Sequence, residues 1–261
     1  MGEILVVFGS ASDAPVYKKL LSELKACKID AELKILSAHR TPKELEAAVA
    51  ETDAKMVIAG AGLSAALPGA IAALTIKPVI GIPCSGNYNG LDALLSVHQM
   101  PPGIPVLGVG VDAVEEAAVA AEKILQGKEK VVMVAPKSPE AKKRAKEAEE
   151  IFKKFRVDFS VVPLMKDANA IHINFVQVRG AAPNGNFLSI NVPVGNAVAN
   201  DALRLLKLAD TGVWVGLGRG ENAALAAIEI LNLNNGAYTR ELSQHREEMR
   251  QKVIESNKGV V

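Results

Sequence analysis

A hexapeptide in the first quarter of the chain, Ser37–Pro42 (SAHRTP), contains residue types that could carry out proton chemistry. It follows a strand-like run over Ala31–Leu36, and Thr41 with Glu44 predicts a capping box on a helix that begins at the proline. We therefore expect His39 at the carboxyl end of a strand beside a helix N-terminus, where open α/β sheets bind ligands. An imidazole there can act as a general acid and base near neutral pH. The alternative is a partly exposed loop histidine without a chemical role.

Two further segments also leave predicted strands through turns. Gly9–Asp13 (GSASD) follows the apolar run Ile4–Phe8 and opens a helix, where hydroxyls and unpaired N–H groups favour an anion. Asp13 could accept hydrogen bonds from sugar hydroxyls, although a turn capped by serine and aspartate explains the same residues. Ala59–Ser64 (AGAGLS) is a glycine-rich exit from the next strand. The three strand ends would present serines, a histidine and bare backbone to one crevice.

In their order along the chain, these segments make the sequence resemble a known family. The series is similar to the catalytic subunit of phosphoribosylaminoimidazole carboxylase, also called N5-carboxyaminoimidazole ribonucleotide mutase, of purine biosynthesis. It runs from about residue 4 to 125 and resumes more weakly in the C-terminal half. The motifs that carry it are Gly9–Asp13, Ser37–Pro42, Ala59–Gly62 with Leu67–Gly69 (LPG), and Gln99–Pro101 with Gly103–Pro105.

The resemblance implies an aminoimidazole ribonucleotide as substrate and 4-carboxy-5-aminoimidazole ribonucleotide as product. It implies His39 as the catalytic acid and base. It implies Arg40 as positive charge for a phosphate or carboxylate, and a glycine-rich wall that keeps carbon dioxide from bulk water. The substrate-binding residues that it implies are Gly9, Ser10, Ser12, Asp13, Ser37, Ala38, Arg40, Gly60, Ala61, Gly62 and Leu63.

One position departs from the family pattern. The mutase branch usually has a histidine immediately before Leu-Pro-Gly, where this chain has Ala66, and Leu63 and Ser64 are also unusual. The branch that carboxylates aminoimidazole ribonucleotide directly lacks that histidine but typically replaces the Arg-Thr-Pro found here. An isomerase (mutase) and a lyase (carboxylase) therefore both stay open. A third alternative is a non-catalytic nucleotide-binding or regulatory homologue.

The composition of the 261 residues restricts the class of protein. A formal net charge of +1 gives no reason to expect nucleic acid or a membrane surface as partner. Two cysteines and a first strand without a preceding signal peptide fit a cytoplasmic enzyme. Met56–Ile76 lacks charged residues, but its glycines and proline divide it, so we interpret it as buried α/β core. Since the sequence has no clustered metal ligands and no P-loop, we expect no cofactor and no metal.

The first half alternates strand-like and helix-like segments, which predicts an α/β, doubly wound parallel sheet of the flavodoxin-like three-layer type. The predicted strands are Ile4–Phe8, Ala31–Leu36, Met56–Ala59, Val79–Ile82 and Val106–Val109. The predicted helices are Pro15–Ala26, Pro42–Ala50, Ala65–Leu74, Leu91–Val97 and Val114–Leu125.

The second half repeats the first imperfectly. Gly110–Leu125 aligns without a gap with Gly216–Leu231, and Asp92-Ala93-Leu94 matches Asp201-Ala202-Leu203. Self-similarity of this kind predicts a duplication. We predict a catalytic domain over residues 1–127 and a degenerate copy with a C-terminal helical tail over 128–261.

The second copy lacks the chemistry of the first. Lys137–Glu140 stands where the first copy has Gly9–Asp13, and Met165–Asp167 stands where the first copy has the histidine segment. Members of the resembled family form octamers with active sites where subunits meet. We therefore expect a homo-oligomer, a tetramer of two-domain chains in which the second copy replaces every other subunit.

Overall fold

Strands and helices alternate along most of the chain in the computed structural model, which describes residues 2–181, 187–196, 198–209 and 211–259. The strands are β1 (Ile4–Phe8), β2 (Ala31–Ile35), β3 (Met56–Ala61), β4 (Val79–Pro83), β5 (Leu107–Gly108), β6 (Lys130–Val134), β7 (Phe159–Val162), β8 (Ala170–Gln177), β9 (Ser189–Val194) and β10 (Val213–Trp214). The helices are α1 (Ala14–Ala26), α2 (Pro42–Glu51), α3 (Ala66–Leu74), α4 (Leu91–His98), α5 (Val114–Leu125), α6 (Pro139–Phe155), α7 (Ala199–Leu208), α8 (Gly220–Asn232) and α9 (Thr239–Ser256).

These strands form one sheet in the order β2-β1-β3-β4-β5-β10-β9-β8-β6-β7. Read from either edge to the centre, each half has the same order: second strand, first, third, fourth, fifth. Neighbouring strands are parallel except β5 and β10, which meet antiparallel at the centre with Trp214 opposite Gly108. The predicted doubly wound parallel sheet and its duplication are therefore confirmed.

Burial of β1 on both faces explains why its sequence is apolar throughout. Ile4, Val6 and Phe8 pack in the core formed with α1 and α5, whereas Leu5 and Val7 pack in the core formed with α2, α3 and α4. A strand covered by helices on both faces has no polar side, unlike a half-exposed strand. The core beneath α1 and α5 continues beneath α6 and α8, so the two halves share it.

The second half is less than a full copy. In the described residues, no helix lies between β7 and β8 or between β8 and β9, so α2 and α3 have no counterparts there. Helix α7 covers part of that face through Leu205 and Leu208, and the ring of Phe187 lies 5.3 Å from the ring of His172. In the described part of the chain, the three-layer arrangement is therefore complete in the first half and incomplete in the second.

A loop of the first half is fastened to a helix of the second. Asn222 of α8 accepts a hydrogen bond from the Gly103 N–H at 2.8 Å and donates to the Pro101 carbonyl oxygen at 2.9 Å. The Gln99–Pro105 motif therefore lies at the joint between the halves. The division at residue 127/128 stays a prediction, because one sheet and one core extend across it.

Helix α9 packs back onto the body of the chain. Leu242 is buried, and Arg246 donates to the buried Glu229 carboxylate of α8 at 3.0 Å. Each helix in the described ranges is too short or too polar to cross a lipid bilayer.

Candidate active site

A cavity of about 510 Å³ opens at the carboxyl ends of β1, β2, β3 and β4. This edge of a doubly wound sheet is where ligands bind. Every predicted site residue except Gly60 lines this cavity. The lining residues are Gly9, Ser10, Ser12, Asp13, Ser37, Ala38, His39, Arg40, Ala61, Gly62, Leu63, Ala66, Leu67, Ser85 and Gly86.

The loop after β1 presents two hydroxyls at the start of a helix. Residues 11–13 form a 3-10 turn before α1, and Ser10 Oγ accepts hydrogen bonds from the Ser12 N–H at 3.2 Å and the Ser12 hydroxyl at 2.8 Å. Burial raises the pKa of the Asp13 carboxyl, and the nearby Asp112 charge raises it too, whereas hydrogen bonds with Ser10 and Ser12 oppose the shift. The loop therefore offers hydroxyls, N–H groups and one carboxylate to a ligand.

The loop after β2 holds His39 at the rim of the cavity. Thr41 Oγ1 accepts from the Ser37 N–H at 2.8 Å and donates to the Ser37 carbonyl oxygen at 3.2 Å. The predicted capping box of Thr41 with Glu44 is therefore wrong, because the hydroxyl closes its own loop and makes no side-chain cap on α2. This closure fixes the base of the loop while the His39 side chain stays exposed.

Arg40 joins the first loop to the second. Its Nη2 donates to the Gly9 carbonyl oxygen at 2.8 Å, and its Nε donates to Ser37 Oγ at 3.4 Å. These bonds use two of the guanidinium's N–H groups and orient its plane. The remaining N–H groups can serve an anion beside the serine hydroxyls.

The third wall is the backbone after β3. Gly60 lies opposite Phe8 in the sheet, and a β-carbon added at Gly60 would overlap the Phe8 ring and lie 2.5 Å from its Cζ. The absence of a side chain at Gly60 therefore leaves room for the Phe8 ring. We assign the backbone wall of the cavity to Ala61 and Gly62 instead. Leu63 follows with a φ of 43° and lies 75% exposed at the mouth of the cavity.

The prediction missed Ser85 and Gly86, which line the fourth side after β4. The Ser85 N–H donates to Asp112 Oδ1 at 2.9 Å, and the neighbouring Cys84 N–H donates to the Ala61 carbonyl oxygen at 2.9 Å. The signal was the same as after β1 and β2, a serine close to a strand's carboxyl end. Burial raises the pKa of the Cys84 thiol above its usual range, so Cys84 stays protonated behind this wall.

The corresponding edge of the second half has a cavity of about 450 Å³ with different chemistry. Ser138 there is used within the protein: its Oγ caps α6 by accepting from the Ala141 N–H and also accepts from Gln177 Nε2 at 2.7 Å. Met165 lies at the place that corresponds to the histidine loop. Among the described residues that line this cavity, none is a histidine or an arginine.

Comparison with known proteins identifies the family. The family described as AIR carboxylase matches residues 3–148. The N5-carboxyaminoimidazole ribonucleotide mutase of Pyrococcus abyssi is 43% identical over 158 residues, which are 59% of this chain and 86% of that protein. The protein of the same name from Methanocaldococcus jannaschii is 48% identical over 122 residues, which are 47% of this chain and 78% of that protein.

Among solved structures, the crystal structure of Treponema denticola PurE is 30% identical, with a TM-score of 0.43, and the match covers 47% of this chain and 79% of that chain. The family match spans more than half of the residues and contains every residue that lines the cavity. The chain belongs to the AIR carboxylase family.

Proposed function

We propose that this chain is an enzyme of purine biosynthesis that forms 4-carboxy-5-aminoimidazole ribonucleotide by moving a carboxylate from nitrogen 5 to ring carbon 4. The observation that carries the proposal is the position of His39 at the rim of a cavity of about 510 Å³ whose other walls offer anion contacts and a bare backbone. The names of the relatives support the mutase reaction for the same family.

The ribonucleotide would lie across the first two loops. Its 5′-phosphate would meet Ser10, Ser12 and Arg40, where two hydroxyls and a guanidinium stand at the start of a helix. The Asp13 carboxylate would accept from the ribose hydroxyls. This placement leaves the aminoimidazole ring between His39 and the backbone after β3.

Two proton movements accompany the carboxylate transfer. When the carboxylate leaves nitrogen 5 as carbon dioxide, that nitrogen gains a proton, which the His39 imidazolium would donate. Carbon 4 then attacks the carbon dioxide, and the imidazole would take the proton that carbon 4 loses. One histidine therefore begins and ends the cycle in the same state, as a single acid and base can.

The wall of Ala61 and Gly62 would hold the carbon dioxide between these steps. Neither side chain is larger than a methyl group, so the one-carbon unit can approach the backbone closely. Leu67 adds apolar surface to the same cavity. Such a wall keeps carbon dioxide away from bulk water until carbon 4 attacks it.

Direct carboxylation of aminoimidazole ribonucleotide by free carbon dioxide is the second candidate. The observation that favours it is Ala66, which lines the cavity at the position where the mutase branch usually has a histidine. Under this alternative His39 would remove the carbon 4 proton without first donating one.

Turnover of purified protein on each substrate decides between the two reactions. We expect product from N5-carboxyaminoimidazole ribonucleotide, and a His39→Asn variant that keeps its fold and its nucleotide affinity but loses about 10²- to 10⁴-fold in kcat. Product from aminoimidazole ribonucleotide and bicarbonate alone would favour the carboxylase. Binding of the nucleotide without any product would instead identify a non-catalytic homologue.

The proposal also covers the oligomeric state and the cellular location of the protein. We expect a homo-oligomer, a tetramer of two-domain chains, that acts in the cytoplasm on a small-molecule ribonucleotide. The free thiols of Cys27 and Cys84 are consistent with a reducing compartment. A monomeric mass in solution scattering would contradict the tetramer.

A further inference from the structure

The loop between β3 and α3, residues 62–65, is fastened to the neighbouring helix α4. The Ser64 N–H donates to Asp92 Oδ2 at 2.9 Å, and the Ser96 hydroxyl donates to the Ser64 carbonyl oxygen at 2.7 Å. Asp92 and Ser96 lie one helical turn apart on α4, so they reach the same residue of the loop. Neither of them lines the cavity.

The backbone of this loop needs such support. Leu63 and Ser64 have φ angles of 43° and 58°, in the left-handed region that residues with a β-carbon disfavour. The loop's own turn contributes one hydrogen bond, from the Ala65 N–H to the Gly62 carbonyl oxygen at 3.0 Å. Asp92 and Ser96 engage both backbone polar groups of Ser64, beside the wall of Ala61 and Gly62.

The equivalent aspartate of the second half has a different hydrogen-bond partner. Asp201 occupies the repeat position of Asp92, and its Oδ2 accepts from the Asn196 N–H at 2.9 Å in the loop that precedes its own helix. In the first half, α4 has Gly90 at its N-cap and no side-chain cap, and Asp92 reaches across to the neighbouring loop. Among the described residues, the two equivalent carboxylates therefore bind different loops, Asp92 that of Ser64 and Asp201 that of Asn196.

We propose that Asp92, together with Ser96, is a positioning residue for the reaction. The two side chains hold Leu63 and Ser64 in the left-handed conformation, and this keeps the Ala61–Gly62 wall opposite His39. This inference rests on the proposed function, because that wall is where the transferred carboxyl group would lie. An ordinary alternative is that the Asp92 charge merely stabilises the N-terminus of α4.

The test compares Asp92→Ala with Asp92→Asn. Asparagine keeps an oxygen that can accept from the Ser64 N–H but has no charge, so it separates the hydrogen bond from the helix-end effect. We expect kcat to fall about 10²-fold in D92A, with a KM for the nucleotide that stays near wild type, because a misplaced wall affects the reacting group. We expect D92N to stay within about fivefold of wild-type kcat.

Two further variants and one physical measurement complete the design. Ser96→Ala removes the weaker bond and should lower kcat by about three- to tenfold. Asp201→Ala, the matched control in the second half, should leave kcat per folded molecule unchanged. Amide hydrogen exchange of residues 62–65 should accelerate in D92A but not in D92N or D201A.

Several outcomes would overturn the inference. These are a wild-type kcat in D92A, a D92N variant as impaired as D92A, or unchanged amide exchange at residues 62–65 in D92A. If D92A does not fold, wild-type kcat and exchange in S96A would overturn it. A wild-type protein that turns over neither substrate would refute the proposed function, and the exchange comparison would still decide whether Asp92 holds the loop.

Discussion

Gly60 and Gly62 lie two residues apart in one glycine-rich segment, but the structure predicts different outcomes when each is changed to alanine. A β-carbon at Gly60 would overlap the ring of Phe8, which is fully buried and packs edge-on against Tyr17 with 5.5 Å between ring centroids. The ring cannot turn away without disturbing that pair. Overpacking of this kind costs about 1–3 kcal/mol. For a chain of this size that lowers the Tm by roughly 2–12 °C.

Gly62→Ala is the matched control. The nearest atom to a β-carbon there is the Cys84 carbonyl oxygen at 3.6 Å, an ordinary contact distance. We therefore expect the free energy of unfolding to change by less than about 0.5 kcal/mol. Urea unfolding of both variants, followed by far-UV circular dichroism, measures the difference.

A double-mutant cycle tests the cause. Phe8→Leu removes the ring that the new methyl group of G60A would strike, so G60A should destabilise the F8L background less than it destabilises the wild type. Equal stability of G60A and the wild type would refute the steric argument. Simple additivity of G60A and F8L would refute it as well.

Three other changes address charge, pH and the joint between the halves. Arg40→Ala should raise the KM for the ribonucleotide about 10- to 100-fold, as measured by steady-state kinetics. Arg40→Lys should raise the KM less, because lysine keeps the positive charge but not the planar set of N–H groups. His98 is fully buried, and burial lowers its pKa to about 4. The unfolded chain can protonate this histidine below about pH 6.5, whereas the folded chain cannot until the pH approaches 4. The free energy of unfolding therefore falls by about 3 kcal/mol as the pH drops from 6.5 towards 4. The side chain of His98→Asn cannot titrate, so the free energy of unfolding of this variant, measured with urea, should change less between these pH values. Asn222→Ala leaves the Gly103 N–H without its partner and should cost about 1–3 kcal/mol in thermal unfolding.

Each of these predictions has an opposite outcome that would contradict it. A KM for R40A within threefold of wild type would remove Arg40 from the anion site. Parallel pH profiles of stability for H98N and the wild type would show that His98 does not titrate as its burial requires. An unchanged Tm in N222A would show that the loop before β5 does not depend on α8.

The first half of the fold follows directly from local sequence signals. Apolar runs such as Ile4–Phe8 and helical stripes such as Val114–Leu125 have the periods of a buried strand and a packed helix, and the structure has both with the predicted bounds. The crevice was predictable for the same reason, because parallel strands place their carboxyl ends at one edge. Repeat identities in Gly216–Leu231 also predicted the duplication.

The remaining features depend on contacts between residues far apart in the sequence. Thr41 has the spacing of a capping residue, but its hydroxyl closes on Ser37, and local spacing cannot decide between these two uses. The reach of Asp92 to Ser64 spans 28 positions and depends on how α3 and α4 pack. Among the described residues the second half has two fewer helices than the first, which could not be predicted because a shorter repeat does not say which elements are missing.

The most direct test of the central claim follows the hydrogen on carbon 4 through one turnover. Substrate deuterated at that carbon is mixed with excess enzyme, and loss of deuterium to water is measured together with product formation. We predict that the wild-type protein releases the label at the rate of product formation. A His39→Asn variant should bind equally well but release it about 10²-fold or more slowly. Release at the wild-type rate by H39N would contradict the role of His39 as the proton carrier of this site.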